Sequence, residues 1–480
     1  MKNQFNKLTR IYISIILIIG IGGLCSCKKF VVVDSPESSI NSGNVYQDNA
    51  NAIAVLNGLY AKMSGTEFSL ELSLYPELSA DNFNLFDENN TSFNRYYKNA
   101  LIQDYNGTKE LWTNFYSYIY VTNAVIEGVS NSNSLDPIVK QHLLGEAHFI
   151  RGFCYFYLVN LYGNVPNVLS TDYKKNAHLP RTPIEDIYKQ IINDLELAKT
   201  LLDNKYLDGT LVNSTSDRLR PNKMAATAML ARVYLYMKNY SQAEIQSSEI
   251  INHAELYSPV PLEQVFQKNS KETIWSLQPV IQGRNTSEGS FYIFGNDLQG
   301  VQPGKVYMSD DFMTSFESGD QRKTNWIGTF TDNAHTYNFP FKYRIKVGNV
   351  EDAEEYTIVL RLSEQYFIRA EARTYLDNIS GAIDDIDVIR DRAKLPLFKA
   401  TIQNVNKNDL LAAILKERRV ELFSEWGNRW LDLKRTGTVE AIMKDFTPIK
   451  GGVWSPHKTL YPIPLEELQA DRNLNQNPGY

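Results

Sequence analysis

Apolar residues recur at intervals of three and four along much of the chain. Ala52, Val55, Leu56, Leu59 and Tyr60 form one face of an amphipathic helix beginning near Asn49. Leu111 to Val129 repeats the spacing. Val139 to Leu161 is so continuously apolar that it predicts a long helix buried on most sides. Tyr162-Gly163-Asn164-Val165-Pro166 ends it, because Gly supplies a cap and Pro forbids continuation. Thr182-Pro183-Ile184-Glu185 opens the next, with Thr at the cap, Pro at the first helical position and Glu three residues after the cap.

Two distant stretches read as the same unit, Ala225 to Glu249 and Gln365 to Asp387. Each places small residues on a first helix (Ala228 and Ala231; Ala370 and Ala372), then a turn, then an alanine on a second helix (Ala243; Ala382). This resembles the tetratricopeptide repeat, a helix pair that stacks because one pair cannot bury its apolar face alone. Between them, Leu256 to Leu360 is rich in Gly, Asn, Asp, Ser and aromatics, which predicts long loops with short strands. The expected fold is mostly α: a tetratricopeptide-like helix-pair scaffold with a loop-rich ligand-binding region containing short strands.

The N-terminus has its own pattern. Lys2, Lys7 and Arg10 precede an apolar run from Ile11 to Leu24, shorter than the ~20 residues a spanning helix needs. Leu24-Cys25-Ser26-Cys27 resembles the lipobox of bacterial lipoproteins, in which the cysteine after the small residue is acylated. The expected organisation is a signal peptide over 1–26, a lipidated N-terminus at Cys27 with a tether to residue 45, a helical region over 46–255, a loop-rich ligand face over 256–360, and C-terminal helices with a tail over 361–480. With Cys25 removed and Cys27 acylated, Cys154 stands alone, so the mature chain has no intramolecular disulfide. Its apolar helical setting marks it as an inert core residue. The net charge of −6, with no basic tract, argues against nucleic acid as a partner. Tyrosine is abundant at 29 residues, which suits wet recognition surfaces.

The C-terminal third carries the most specific text. Glu417-Arg418-Arg419-Val420-Glu421-Leu422 precedes Glu425-Trp426-Gly427-Asn428-Arg429-Trp430-Leu431-Asp432-Leu433-Lys434-Arg435, then Leu460-Tyr461-Pro462-Ile463-Pro464 and the final Asn475-Gln476-Asn477-Pro478-Gly479-Tyr480. With Gly145-Glu146-Ala147-His148-Phe149-Ile150-Arg151-Gly152 and Cys27-Lys28-Lys29-Phe30, these motifs resemble, in order, the SusD/RagB family of outer-membrane lipoproteins of Bacteroidetes. The resemblance implies a nutrient-binding surface lipoprotein. It would capture an oligosaccharide or another nutrient and cap a SusC-like TonB-dependent transporter. Lys28-Lys29 depart from the acids that often follow the acylated cysteine of surface-exposed members.

The candidate chemistry is recognition. Glu421 or Glu425 could serve as an acid or base, but the charge pattern reads more simply as a helix with opposite charges at three and four, such as Glu425 with Arg429. Arg418, Arg429 and Arg435 are expected to fix helix ends and the tail through forked hydrogen bonds. His142, Glu146 and His148 lack the two-histidine i, i+4 spacing of a zinc helix. Asp81 to Asn90 departs from the EF-hand loop at Phe83 and Phe86. No metal or cofactor is expected.

A sugar presents apolar C–H faces and hydroxyls, so its binder needs aromatic platforms edged by amides and carboxylates. Asp81 to Tyr105 supplies Phe83, Phe86, Tyr96 and Tyr97. Gly283 to Tyr343 supplies Phe291, Tyr292, Tyr307, Trp326 and Tyr337. The candidates are Tyr96, Tyr97, Tyr292 and Trp326, with Asn82, Asp87 and Asn296 as polar partners, whereas Trp112, Trp426 and Trp430 are expected in the core. The rival readings are a tetratricopeptide-type protein-binding scaffold and a helical glycosidase, which needs two carboxylates roughly 5 to 9.5 Å apart across a cleft.

Overall fold

The first long helix, α1 (Asn49–Ser64), begins where the Asp48 carboxylate accepts a hydrogen bond from the Asn51 N–H at 3.0 Å. In the computed structural model, residues 44–480 are described apart from 88, 105, 296–304, 333–334 and 402–404. The expected signal peptide over 1–26, Cys27, all but the last two residues of the expected tether over 27–45, and Asn296 lie outside the described residues. The short helix α2 (Glu71–Ser79) follows, then α3 (Asn106–Asn131) and the 26-residue α4 (Pro137–Tyr162).

Helix α4 is the core element its sequence predicts: Phe149, Ile150, Phe153, Cys154, Phe156 and Leu158 are fully buried. Gly163, at φ +78°, ends it. Helix α4 packs between α3 and α5 (Ile184–Leu201). Its glycines permit the approach, since a Cβ on Gly145 would lie 2.8 Å from the Leu202 side chain. The start of α5 differs from expectation by one residue. Thr182 pairs in a short strand, Pro183 occupies the cap position, and Asn164 Oδ1 accepts from the Ile184 N–H at 3.2 Å.

The two repeat-like stretches form helix pairs: α6 (Lys223–Tyr236) with α7 (Tyr240–Ile251), and α8 (Leu362–Tyr375) with α9 (Ile379–Arg392). Their turns are built alike. Lys238 and Asp377 are left-handed, at φ +59° and +62°, and the next residue, Asn239 or Asn378, caps the second helix with its side chain. Though far apart in sequence, the pairs are adjacent steps of one stack. Helix α7 packs on α8, and Ala231 and Leu235 of α6, Ala243 of α7 and Ile368 and Ala372 of α8 form one buried cluster there. The chain between them is therefore looped out of the scaffold. Helices α10 (Lys407–Glu421), α11 (Asn428–Arg435) and α12 (Val439–Ile449) complete the C-terminal part, with α10 against α8 and α11 against α2.

All paired strands are short and antiparallel. Strand β1 (Phe83–Leu85) pairs with β5 (Val306–Met308), and β2 (Val165–Pro166) with β3 (Arg181–Thr182). Strand β4 (Thr273–Leu277) pairs with β8 (Thr357–Arg361), closing the base of the looped-out region. Strands β6 (Ile327–Asp332) and β7 (His335–Pro340) form a hairpin. Trp112, Trp275, Trp426 and Trp430 all lie in the core.

The expected pairing of Glu425 with Arg429 is corrected by the structure. Helix α10 stops at Glu421, and Ser424, Trp426 and Gly427 adopt φ of +56°, +47° and +68°. Three left-handed residues break the helical register, so side chains four apart no longer share a face. Glu425 instead meets Lys342 at 2.5 Å and Arg361 at 2.7 Å, while Arg429 reaches back to Asp81 at 2.7 Å. Arg418 and Arg435 do tie helices together. Arg418 holds Asp432 at 2.9 Å, and Arg435 bridges Asp432 at 2.7 Å and Glu371 at 2.6 Å. The tail is held by Arg181, whose guanidinium donates to the Asn475 carbonyl at 3.0 Å and to Asn477 Oδ1 at 2.5 Å.

Candidate ligand-binding face

The β6–β7 hairpin sorts its side chains by alternation. Phe330 faces Tyr337, Gly328 faces Phe339, and Asp332 faces His335, so these six share one side. Thr329, Thr331, Thr336 and Asn338 occupy the other. Gly328 is required by its neighbour, because a Cβ there would lie 2.3 Å from the Phe339 ring. Phe294 stacks beneath this aromatic side, with centroids 5.8 Å from Phe330, 6.1 Å from Tyr337 and 5.2 Å from Phe339.

The β1–β5 pair extends the surface. Phe86, just after β1, donates its N–H to the Lys305 carbonyl at 2.8 Å. Its ring meets Tyr337 edge-on at 5.1 Å, and Tyr307 of β5 meets Tyr337 at 5.2 Å. Phe86, Tyr307, Phe330 and Tyr337 are half-buried, while Phe294 and Phe339 lie beneath them. The result is an aromatic shelf of four half-buried rings over two buried ones. Edge-on and offset contacts of this kind hold each ring in place, at about 0.5 to 1.5 kcal/mol per pair beyond burial.

A charged footing fixes the β1 side. Asp81 is buried and accepts from Arg429 through both oxygens at 2.7 Å, with Arg419 at 3.1 Å. Burial alone would raise its pKa. The hydrogen bond and charge of Arg429, with the charges of Arg419 and Lys450, outweigh that and leave it at about 2. Asn82 donates to Glu77 Oε2 at 2.9 Å and accepts from Arg419 Nε at 2.9 Å. Burial pushes the Glu77 carboxyl up to about 7. The Lys450 ammonium donates to the Leu78 and Ala80 carbonyls, and burial brings it down to about 7.

Most of the sequence candidates lie inside the protein, and their assignment as ligand platforms is corrected. Tyr96 stacks on Tyr75 at 4.2 Å and is 1% exposed. Tyr97 is buried and donates to Asn84 Oδ1 at 3.2 Å, beneath the Lys450 ammonium. Tyr292 is 3% exposed, against Phe83. Trp326 is wholly buried, donates to the Leu262 carbonyl at 3.0 Å and is flanked by Lys342 and Arg392. Asn82 is buried in the footing.

The physical reason is local. Thr91–Tyr97 is a helix capped by Asn90, and its turn directs Tyr96 and Tyr97 inward. Asp87 is half-buried beside Phe86, accepting from the Asn89 N–H at 2.9 Å. Of the wider aromatic set, Phe86, Tyr307 and Tyr337 reach the shelf. Phe294, Phe330 and Phe339 were missed; the period-two alternation across residues 327–340 is the signal that could have found the last two.

The carboxylates proposed for acid–base work are immobilised. Glu421 is fully buried and meets Arg361 at 2.7 Å, together with Arg392 and Arg322. Burial alone would raise its pKa, but the charges of Arg392, Arg361 and Arg322 hold it well below the ordinary range. The histidine set disperses as well. His142 faces Asp203 at 3.6 Å, His148 meets Asp194 at 2.7 Å, and Glu146 meets Arg220 at 2.8 Å. Among the described residues, no three His, Cys, Asp or Glu side chains converge as a metal site.

Comparison with known proteins places this architecture. Residues 35–235 match a family described as starch-binding and associating with the outer membrane, and residues 234–480 match the SusD family. A SusD-like protein of Formosa agariphila is 25% identical, over 95% of this chain and 97% of its own. The starch-binding protein SusD of Bacteroides thetaiotaomicron is 31% identical over 129 residues, which is 25% of this chain and 21% of that protein. The crystal structure of a SusD homolog from Bacteroides thetaiotaomicron matches with a TM-score of 0.78 at 19% identity, covering 92% of this chain and 98% of that one. The stacked helix pairs, the loop-borne face and these two adjoining matches lead to one conclusion: the chain belongs to the SusD family.

Proposed function

We propose that this protein captures an oligosaccharide on the aromatic shelf and delivers it, unaltered, to a SusC-like TonB-dependent transporter, while an acylated Cys27 ties it to the outer membrane facing outward. Membership of a carbohydrate-binding, outer-membrane-associated family supports the nutrient-binding role. The observation that carries the reading is the shelf itself: Phe86, Tyr307, Phe330 and Tyr337 half-exposed over Phe294, with Asp87 and His335 at its edges. Flat rings take the C–H faces of pyranoses, and polar edges take hydroxyls. Closure over the transporter follows the difference in ligand affinity between open and closed states. A modest affinity, with fast release, suits handover.

A glycan array with the full-length protein in detergent, followed by calorimetry on the best ligand, tests the proposal. Tyr337→Ala and Phe330→Ala should each weaken binding roughly tenfold, about 1.4 kcal/mol. Unchanged affinity in both variants, or cleavage of the ligand, overturns it. Capture from solubilised membranes should return a large barrel transporter. A set of soluble proteins in its place would favour the scaffold reading.

A further inference from the structure

A cavity of about 410 Å³ opens between α1, the 207–220 segment and the end of β4, and none of its lining residues belongs to the shelf. Its inner wall is Tyr60 and Arg220, and both are set by one buried acid. Glu146 accepts from Arg220 Nη1 at 3.0 and 2.8 Å and from the Tyr60 hydroxyl at 2.6 Å. Arg220 also donates to Asn57 Oδ1, and its guanidinium sits 5.9 Å from the Tyr60 ring centroid. The Glu146 side chain is 1% exposed, and that of Arg220 is 7% exposed. The ring and the cation are thus held before any ligand arrives, which lowers the ordering cost of binding.

Asp208 and Asp217 also line the cavity. Thr210 and Asn213 donate to Asp208 at 2.9 and 3.1 Å, and Asn269 donates to Asp217 at 3.0 Å. Val280, 44% exposed, lines the cavity as well.

The chemistry narrows the occupant. The volume falls in the range of about 300 to 1,000 Å³ typical of small-ligand sites. An anion is disfavoured, because Arg220 is already neutralised by Glu146 and two further carboxylates line the cavity. An acyl chain would strand the polar groups of the lining. A polyol suits one flat ring, carboxylate acceptors and guanidinium and amide donors.

We infer that this cavity is a second carbohydrate site, taking one neutral pyranose unit of a glycan. The inference rests on the carbohydrate-binding reading but not on the shelf. The Gly145-Glu146 motif thereby gains a role: Glu146 is a positioning residue for the ring and the cation that receive the sugar.

The test is saturation-transfer NMR on the full-length protein in detergent. The probes are methyl α-D-glucopyranoside, methyl β-D-galactopyranoside, methyl α-D-mannopyranoside and methyl β-D-glucuronide. The rim substitution Val280→Trp fills the cavity from an exposed position, and an unchanged Tm checks its fold. At least one neutral glycoside should give a signal that falls roughly tenfold in Val280→Trp, persists in Tyr337→Ala and is absent for the glucuronide. A signal indifferent to residue 280, no signal from any neutral glycoside, or an equal response from the glucuronide overturns the inference. Failure of the shelf reading shows separately, as oligosaccharide affinity unchanged in Tyr337→Ala.

Discussion

Replacing Asp81 by asparagine removes one buried carboxylate that two arginines share. Arg429 meets it at 2.7 Å and Arg419 at 3.1 Å, and the side chain is 1% exposed. Two estimates bound the cost. Breaking a buried ion pair by deleting one partner costs about 3 to 5 kcal/mol. The fall of the Asp81 pKa from 3.8 to about 2 corresponds to about 2.4 kcal/mol. A loss of about 3 kcal/mol is expected at pH 7. At about 2.1 cal/mol/K per residue over roughly 430 residues, that lowers Tm by about 3 °C.

The pH dependence distinguishes this cause from general damage. A depressed carboxylate pKa contributes stability that is complete above 3.8 and is lost as pH falls through about 2. The gap between wild type and Asp81→Asn should therefore close on acidification, with about half of the linkage contribution gone by pH 3. Scanning calorimetry at pH 7, 4 and 3 measures it. A shift under about 1 °C at pH 7, or a gap that stays constant down to pH 3, refutes the assignment of Asp81 as the footing of the β1 loop.

Two other substitutions probe the surroundings of the shelf. Burial raises the Glu77 pKa from 4.5 to about 7, so its contribution to stability is complete below 4.5 and is lost as pH rises through 7. Glu77→Gln should accordingly gain about 2 kcal/mol more, relative to wild type, at pH 8 than at pH 5, and calorimetry showing the reverse order would discard this account. Gly328→Ala drives a Cβ to within 2.3 Å of the Phe339 ring and should cost about 1 to 3 kcal/mol while weakening oligosaccharide binding. A crystal structure of that variant with the ring unmoved and the affinity unchanged would contradict the packing argument.

The helical scaffold was legible because its signal is local. Helices α1, α3 and α4 follow from three-and-four periodicity, and the two helix pairs from small residues recurring about a turn. The loop-borne face was legible only as composition. Aromatic residues among Asn and Asp announce recognition, yet the same residues in a seven-residue helix (Thr91–Tyr97) turn Tyr96 and Tyr97 into the core. Trp326 was misread for a related reason. Its indole fills a site built by Phe266, Lys342 and Arg392, residues from distant parts of the chain whose convergence no local pattern encodes. The break after Glu421 is similar, since three left-handed residues in close succession are set by what they pack on, including Pro76 against Gly427.

Sequence by itself determined the repeating helices, the deep burial of α4 and the kinship carried by the C-terminal motifs, since periodicity and fixed text survive any change of neighbours. Tertiary structure alone decided that α7 and α8 stack across a looped-out segment. It also decided which rings become a shelf and which become core. Exposure is a property of what covers a side chain, and the covering residues come from distant parts of the chain.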